Sequence, residues 1–326
     1  MSNLPSDLVA EVLCRLSVKK LLHCRSVCKP WRSLIDDPDF IKRHIEHSIE
    51  TSSNLSIVVG SNLLSIDFDG LNNPIELDPP LICYNHKIKV FGSCNGLLCI
   101  RNVVDHIALW NPSTRKHVVL PPLSLDLRRY SGTCDCTVYV YGFGYDPAND
   151  DYKVVRIAQF VGTDFQYFES EVMVYSLRRR CWKRIEDMNY YLHYRGRNGV
   201  YAGGALHWVV TRGPESRSSK LIVSLDRRLE NFREVPEPEN MDRNFDMGVG
   251  VLRDCLCLLA YYKDSRVDLW LMKEYGIKTS WSKLFSVSEV QPFRYLRPLA
   301  FSKSGRECCC SRITQICYGM IWLIRH

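Results

Sequence analysis

Phe91-Gly92-Ser93-Cys94-Asn95-Gly96-Leu97-Leu98-Cys99, leading to Leu109-Trp110-Asn111-Pro112-Ser113-Thr114-Arg115-Lys116-His117-Val118-Val119, is the stretch that decides the fold. It reads as a glycine-marked strand or two, an extended run, and a turn before one more strand. Asn111 favours local side-chain hydrogen bonding and Pro112 fixes φ, so this tetrad is a structural turn. The unit returns three times. Tyr141-Gly142-Phe143-Gly144-Tyr145-Asp146 leads to Val174-Tyr175-Ser176-Leu177 and Trp182-Lys183-Arg184-Ile185. Ala202-Gly203-Gly204-Ala205-Leu206-His207-Trp208 leads to Val223-Ser224-Leu225-Asp226 and Phe232-Arg233-Glu234-Val235. Met247-Gly248-Val249-Gly250 leads to Leu269-Trp270-Leu271-Met272 and Trp281-Ser282-Lys283-Leu284. Gly92, Gly142, Gly203 and Gly248 are spaced by 50, 61 and 45 residues. That is near the ~40–50 residues of a propeller blade, whose four or so strands cannot bury their faces alone. An all-β, propeller-like body is expected from about residue 51 onward.

Ahead of this body the period changes. Ser6 is read as an N-cap, Asp7 favours the positive end of a helix dipole, and Leu8, Val9, Val12, Leu13 and Leu16 recur at helical spacing. Ser17 caps a second helix through Leu21 and Leu22, and Pro30 opens a third carrying Trp31, Leu34 and Ile35. A fourth follows Asp36-Asp37-Pro38, with Phe40, Ile41, Ile45 and Ile49 as its apolar face and Lys42, Arg43, Glu46 and Glu50 outside. The fold class is thus α+β multidomain, divided into a helical module at 1–50, a β body at 51–305 and an atypical Cys-rich tail at 306–326.

Composition excludes several classes. With 326 residues, 46% hydrophobic, 24% charged and a net charge of +7, the chain is neither disordered nor collagen-like. No apolar run reaches the ~18 residues of a membrane span, and the N-terminal sequence has no basic segment followed by a long apolar one. The 15 cysteines are an odd number and are read in a reducing compartment, where most are small buried hydrophobes; Cys24 and Cys28 are read in that way. A cytoplasmic or nuclear location, or both, is expected.

The pattern Leu4-Pro5, Leu8, Val12, Leu16, Leu22, Arg25, Val27-Cys28-Lys29, Trp31, Leu34 and Ile35 resembles the F-box over some forty residues. This family docks on the Skp adaptor, which links it to a cullin and a RING subunit. The resemblance implies an adaptor-binding set of Leu4, Pro5, Leu8, Val12, Leu16, Val27, Cys28 and Trp31, with Leu4-Pro5 as an apolar wedge and the others forming the strip buried on docking. Leu13, Leu22 and Leu34 are as readily explained by packing inside the module. In the β body, Asn111-Pro112-Ser113-Thr114, Gly142-Phe143-Gly144-Tyr145-Asp146 and Asp151-Tyr152-Lys153-Val154-Val155-Arg156 resemble the plant type-1 F-box-associated domain, often described as kelch-like. Together the halves resemble plant F-box/kelch-repeat receptors, nearest the immunity-regulating group. The function implied is substrate recognition for a Skp–cullin–F-box ubiquitin ligase, with a protein client, an intracellular immune receptor in the group resembled. The alternative is a ligase-independent scaffold or decoy with an impaired client domain. Client-binding residues are not legible.

His207 beside Trp208, and His193, have no motif-spaced nucleophile or ligand and read as packing residues; no Walker A loop or nucleophile elbow is present. No catalytic residue, cofactor or metal is expected. Cys134-x-Cys136 and Cys255-x-Cys257 have gaps too short for a zinc knuckle and fit one face of a strand. Adjacent strand residues point apart, so Cys308-Cys309-Cys310 with Cys317 poorly suits one tetrahedral ion and reads as oxidation-prone thiols. Arg178-Arg179-Arg180 reads as a hairpin tip and Trp182 as the recurring blade aromatic, a simpler account than a nucleic-acid platform. After Phe301-Ser302-Lys303-Ser304-Gly305 a closing strand pair is expected, and Arg306-Glu307-Cys308-Cys309-Cys310 breaks the pattern. The break is read as a reading-frame change or alternative splice, predicting an incomplete last repeat and an unpaired edge.

Overall fold

The computed structural model describes residues 5–51, 53–59, 63–67, 74–82, 88–123, 134–162, 168–192, 198–214, 219–226, 231–239, 241, 245–263, 266–288, 294–301, 308–314 and 322–325. For 134–137, 294, 295, 297, 301, 309, 311–314 and 322–325 it describes the backbone alone.

Four helices come first: α1 (Ser6–Cys14), α2 (Val18–Cys24), α3 (Lys29–Ile35) and α4 (Pro38–Glu50). Pro5, not Ser6, is the N-cap of α1; its extended backbone aims its carbonyl to accept from the Leu8 and Val9 amides. Ser17 stands at the N-cap of α2, and Asp37 caps α4 by accepting from Asp39 N and Phe40 N at 2.9 and 3.2 Å. Prolines occupy the first turns of α3 and α4, where the missing N–H costs no helical bond. Leu13, Cys14, Leu21, Ile35 and Phe40 form the core of this module, with Val9, Leu16, Cys24, Trp31 and Leu34 packed against it.

α4 corrects the reading of its apolar face. Its buried residues are Phe40, His44 and Ser48, whereas Ile41 is 46% exposed and Ile45 and Ile49 are half-buried. His44 can lie inside because its Nε2 is 2.9 Å from the Leu16 carbonyl, and burial lowers its pKa. Helical period identifies apolar positions but not the neighbour each will meet. The isoleucines face the β body.

Among the described residues, twenty-two strands form five four-stranded sheets and one two-stranded sheet. The first has the order β22 (Trp322–Arg325), β1 (Leu55–Val59), β2 (Leu64–Asp67), β3 (Ile75–Glu76). The next comprises β4 (Lys89–Cys94), β5 (Leu97–Arg101), β6 (Ile107–Trp110) and β7 (His117–Val119). It is followed by β8 (Cys134–Asp146), β9 (Asp151–Gly162), β10 (Phe168–Ser176) and β11 (Cys181–Arg184), then by β12 (Val200–Ala202), β13 (Ala205–Thr211), β14 (Lys220–Leu225) and β15 (Phe232–Val235). The fifth is β16 (Phe245–Leu252), β17 (Cys255–Tyr262), β18 (Val267–Met272) and β19 (Trp281–Val287); β20 (Arg294–Phe301) pairs with β21 (Cys308–Thr314) in a two-stranded sheet. Every pairing is antiparallel.

The innermost strands β22, β4, β8, β12, β16 and β20 touch in succession, and β20 touches β22, so the sheets close a propeller ring. The four repeat units quoted above are the second to fifth sheets. Among the described residues the last repeat has two strands where the others have four, and β21 has no further strand beside it. The tail does not leave the fold: β21 completes this pair, and β22 joins β1 with Leu55 opposite Arg325 and Val58 opposite Trp322.

Apolar clusters fill successive sheet interfaces. Val58 and Leu63 meet Val90, Leu98 and Trp110; Phe91 and Leu109 meet Tyr141 and Phe143; Val140 and Ile157 meet Leu206 and Trp208; Ile222 meets Met247 and Leu258; Leu259 and Leu269 meet Leu296. Three glycines of the quoted units, Gly92, Gly142 and Gly250, mark close approach between neighbouring sheets. A Cβ on Gly92 would lie 3.0 Å from Phe143 Cβ, one on Gly142 2.9 Å from Leu206 and Trp208, and one on Gly250 2.8 Å from Pro298. Glycine there serves close backbone approach near the axis.

Candidate functional site

The helical module exposes apolar residues that its own core does not use. Leu8 and Val12, one helical turn apart and so on one face of α1, are 50% and 63% exposed; Val27, in the turn between α2 and α3, is 65% exposed. Pro5, Leu22 and Cys28 are exposed too. Leu16 and Trp31 differ from the other expected residues, since both are half-buried against the module's core and present only part of their surface. Leu4 lies outside the described residues. Among those expected to pack internally, Leu13 is buried and Leu34 half-buried, while Leu22 is 37% exposed. Exposed apolar side chains of this size on so small a module form a surface fit for a partner.

Arg25 and Asp36 hold that surface in shape. The guanidinium donates from Nε to Oδ1 at 2.6 Å and from Nη2 to Oδ2 at 2.7 Å, a bidentate pair joining the ends of α2 and α3 across the turn that carries Val27 and Cys28. This hydrogen bonding holds the Asp36 carboxyl below the usual carboxylate range and raises Arg25. The sequence pattern contained Arg25; its partner was not legible because the pair is a tertiary contact.

The same module seats against one end of the propeller. Ile41, Lys42, Ile45, Glu46 and Ile49 of α4 line a cleft of about 760 Å³ with the first hairpin turns of four sheets, at Cys94-Asn95, Pro147 to Asp150, Gly203-Gly204 and Arg253-Asp254. Strand alternation then puts the turns between second and third strands, including Asn102 to His106 and the segment around Arg266, at the far end. Asn102 organises the first of these: its Oδ1 accepts from the Val104 and His106 amides, and its Nδ2 donates to the Ile82 carbonyl. Ile82, Val103 and Val104 are all exposed there.

His207 is fully buried with Nε2 2.8 Å from the Tyr275 hydroxyl and Nδ1 3.3 Å from the Val200 carbonyl, and burial pushes its pKa down to about 4. His193 and Cys317 lie outside the described residues, as do the side chains of Cys134 and Cys136. Cys257 is buried and its thiol pushed up by burial. Among the described residues no group of three His, Cys, Asp or Glu could hold a metal ion. Arg178 to Arg180 form the β10–β11 turn, where Arg178 Nη1 donates to Asn149 O, and Trp182 packs on Tyr175 with ring centroids 5.3 Å apart. No helix among the described residues is long and apolar enough to cross a membrane.

Comparison with known proteins agrees with this geometry. Residues 1–43 match the F-box domain, and residues 47–310 match the F-box associated beta propeller domain. F-box protein CPR1 of Arabidopsis thaliana is 40% identical over 333 aligned positions, covering 94% of this chain and 79% of its own. An F-box/kelch-repeat protein of the same plant is 35% identical, covering 92% of this chain and 83% of its own. A helical module with an unfilled apolar surface, leading through α4 into a glycine-marked propeller, and these matches across nearly the whole length have one reading: the chain belongs to the plant F-box proteins that carry an F-box-associated β-propeller domain.

Proposed function

We propose that this chain is the substrate-recognition subunit of a Skp–cullin–F-box ubiquitin ligase, binding the Skp adaptor through its helices and a protein client through its propeller. The observation that carries this reading is the exposure of Leu8, Val12 and Val27 beside a module core already complete without them. Burying such side chains on a partner contributes roughly 1.5–3 kcal/mol each when burial is full, enough for a strip of a few to anchor a complex. Pro5 adds a residue whose backbone is already fixed, so little ordering cost attends its docking. The chain supplies no transfer chemistry in this role; ubiquitin passes from a conjugating enzyme held elsewhere in the assembly. The client meets the propeller end away from α4, because the near end faces the helical module. An intracellular immune receptor is the client class implied by the resemblance to the immunity-regulating group.

Deletion of residues 1–50 tests the reading in cells. A client co-purifying with the full chain under proteasome inhibition should accumulate when the deleted form replaces it. A client that still binds and turns over at the same rate without those residues contradicts the ligase role and favours the scaffold or decoy.

A further inference from the structure

We propose that Cys308 and Cys310 form an oxidisable dithiol, which hydrogen peroxide converts to a disulfide within strand β21 and thiol reductants reopen. The two side chains share one face of the strand as i and i+2 neighbours, and their Sγ atoms are 3.8 Å apart. Both are half-buried, so a small oxidant can reach them. The hydrogen bond with Cys308 holds the Cys310 thiol below its ordinary range against the opposing effect of partial burial. Cys257 packs in the same apolar cluster, but burial pushes its thiol up and leaves it a poor nucleophile.

The strand is placed to accept the change. Among the described residues β21 pairs with β20 alone, and β20 bulges between Pro298 and Ala300 opposite Cys310 and Cys309, so the ladder there is already irregular. In the first step the Cys310 thiolate attacks one peroxide oxygen, the O–O bond breaks, and the departing hydroxide takes a proton to leave as water. The Cys308 sulfur then attacks the resulting sulfenic acid, the S–S bond forms, and the S–O bond breaks with loss of a second water. Two thiols lose two electrons in all and one peroxide is reduced to two waters. Strand residues two apart have Cα atoms about 6.6 Å from each other, near the upper limit for a disulfide, which makes this one readily reduced.

The test is mass spectrometry of the folded full chain after brief exposure to hydrogen peroxide, maleimide blocking and tryptic digestion, which releases Glu307 to Arg312 with all three neighbouring cysteines. The expected product carries maleimide on Cys309 alone, is about 2 Da lighter than the same singly labelled peptide with its other two thiols free, and becomes fully blocked only after treatment with glutathione and a second round of maleimide. Cys310→Ser should abolish it. Full maleimide labelling after peroxide, a disulfide that includes Cys309 or Cys257, or sulfinic and sulfonic acids without a disulfide would each overturn the proposal. It stands apart from the ligase reading, since no adaptor or client enters the measurement.

Discussion

The imidazole of His207 is held neutral between Tyr275 and the Val200 carbonyl, with a pKa near 4 against an ordinary value near 6.5. A lowered folded-state pKa means that, between those two values, the unfolded chain binds a proton that the folded chain refuses. Stability is therefore fully present above pH 6.5 and falls as the pH drops toward 4, by about 1.4 kcal/mol per unit for this group. His44, lowered by burial as well, acts in the same direction within the helical module. The melting temperature should fall on acidification through this window, and His207→Gln should flatten the fall whatever it does to stability at neutral pH. A variant with the wild-type slope would remove His207 from the account. Leu8 and Val12 make a different point at the same scale: the helical pattern named them, and only the structure shows that Val9, Leu13 and Leu16 fill the core without them.

At the scale of elements, the closest approach lies between neighbouring sheets. A Cβ on Gly144 of β8 would come within 2.3 Å of the Tyr201 ring of β12, whose hydroxyl donates to the Tyr145 carbonyl and so has little freedom to retreat. Gly144→Ala should lower the urea midpoint, with a cost of roughly 1–3 kcal/mol typical of overpacking; an unchanged midpoint would mean that the sheets can slide apart cheaply. This crowding explains part of what was legible: Gly92, Gly142 and Gly250 stand where an inner strand meets the next sheet, while Gly203 holds the β12–β13 turn at φ +55°, and such glycines recur in the sequence. The first sheet has no such mark among its described strands and draws β22 from the opposite end of the chain, so local pattern could not assemble it. The isoleucines of α4 failed for a related reason. Periodicity showed an apolar face, but α4 has two neighbours, and Phe40 with His44 faces one while Ile41, Ile45 and Ile49 face the other.

Across the whole molecule, β22 is the element that joins the two ends of the β body, pairing with β1 and touching β4 and β20. Truncation after Thr314 removes it, leaving β1 as a free edge and the inner ring open. The truncated chain should melt several degrees lower and form concentration-dependent oligomers in sedimentation; a monomer with the wild-type melting temperature would show that the closing pair contributes nothing. The chain order also assigns the two ends of the ring, because α4 emerges from the helical module and lines the cleft at one end. Titration calorimetry of the full chain with the Skp adaptor tests the central claim most directly, comparing wild type with the double variant Leu8→Asp, Val12→Asp. The account predicts a one-to-one complex for the wild type and at least about tenfold weaker binding, a loss of 1.4 kcal/mol or more, for a variant that keeps its helical content and melting temperature. Equal affinity in the folded variant, or no binding by the wild type, would contradict it.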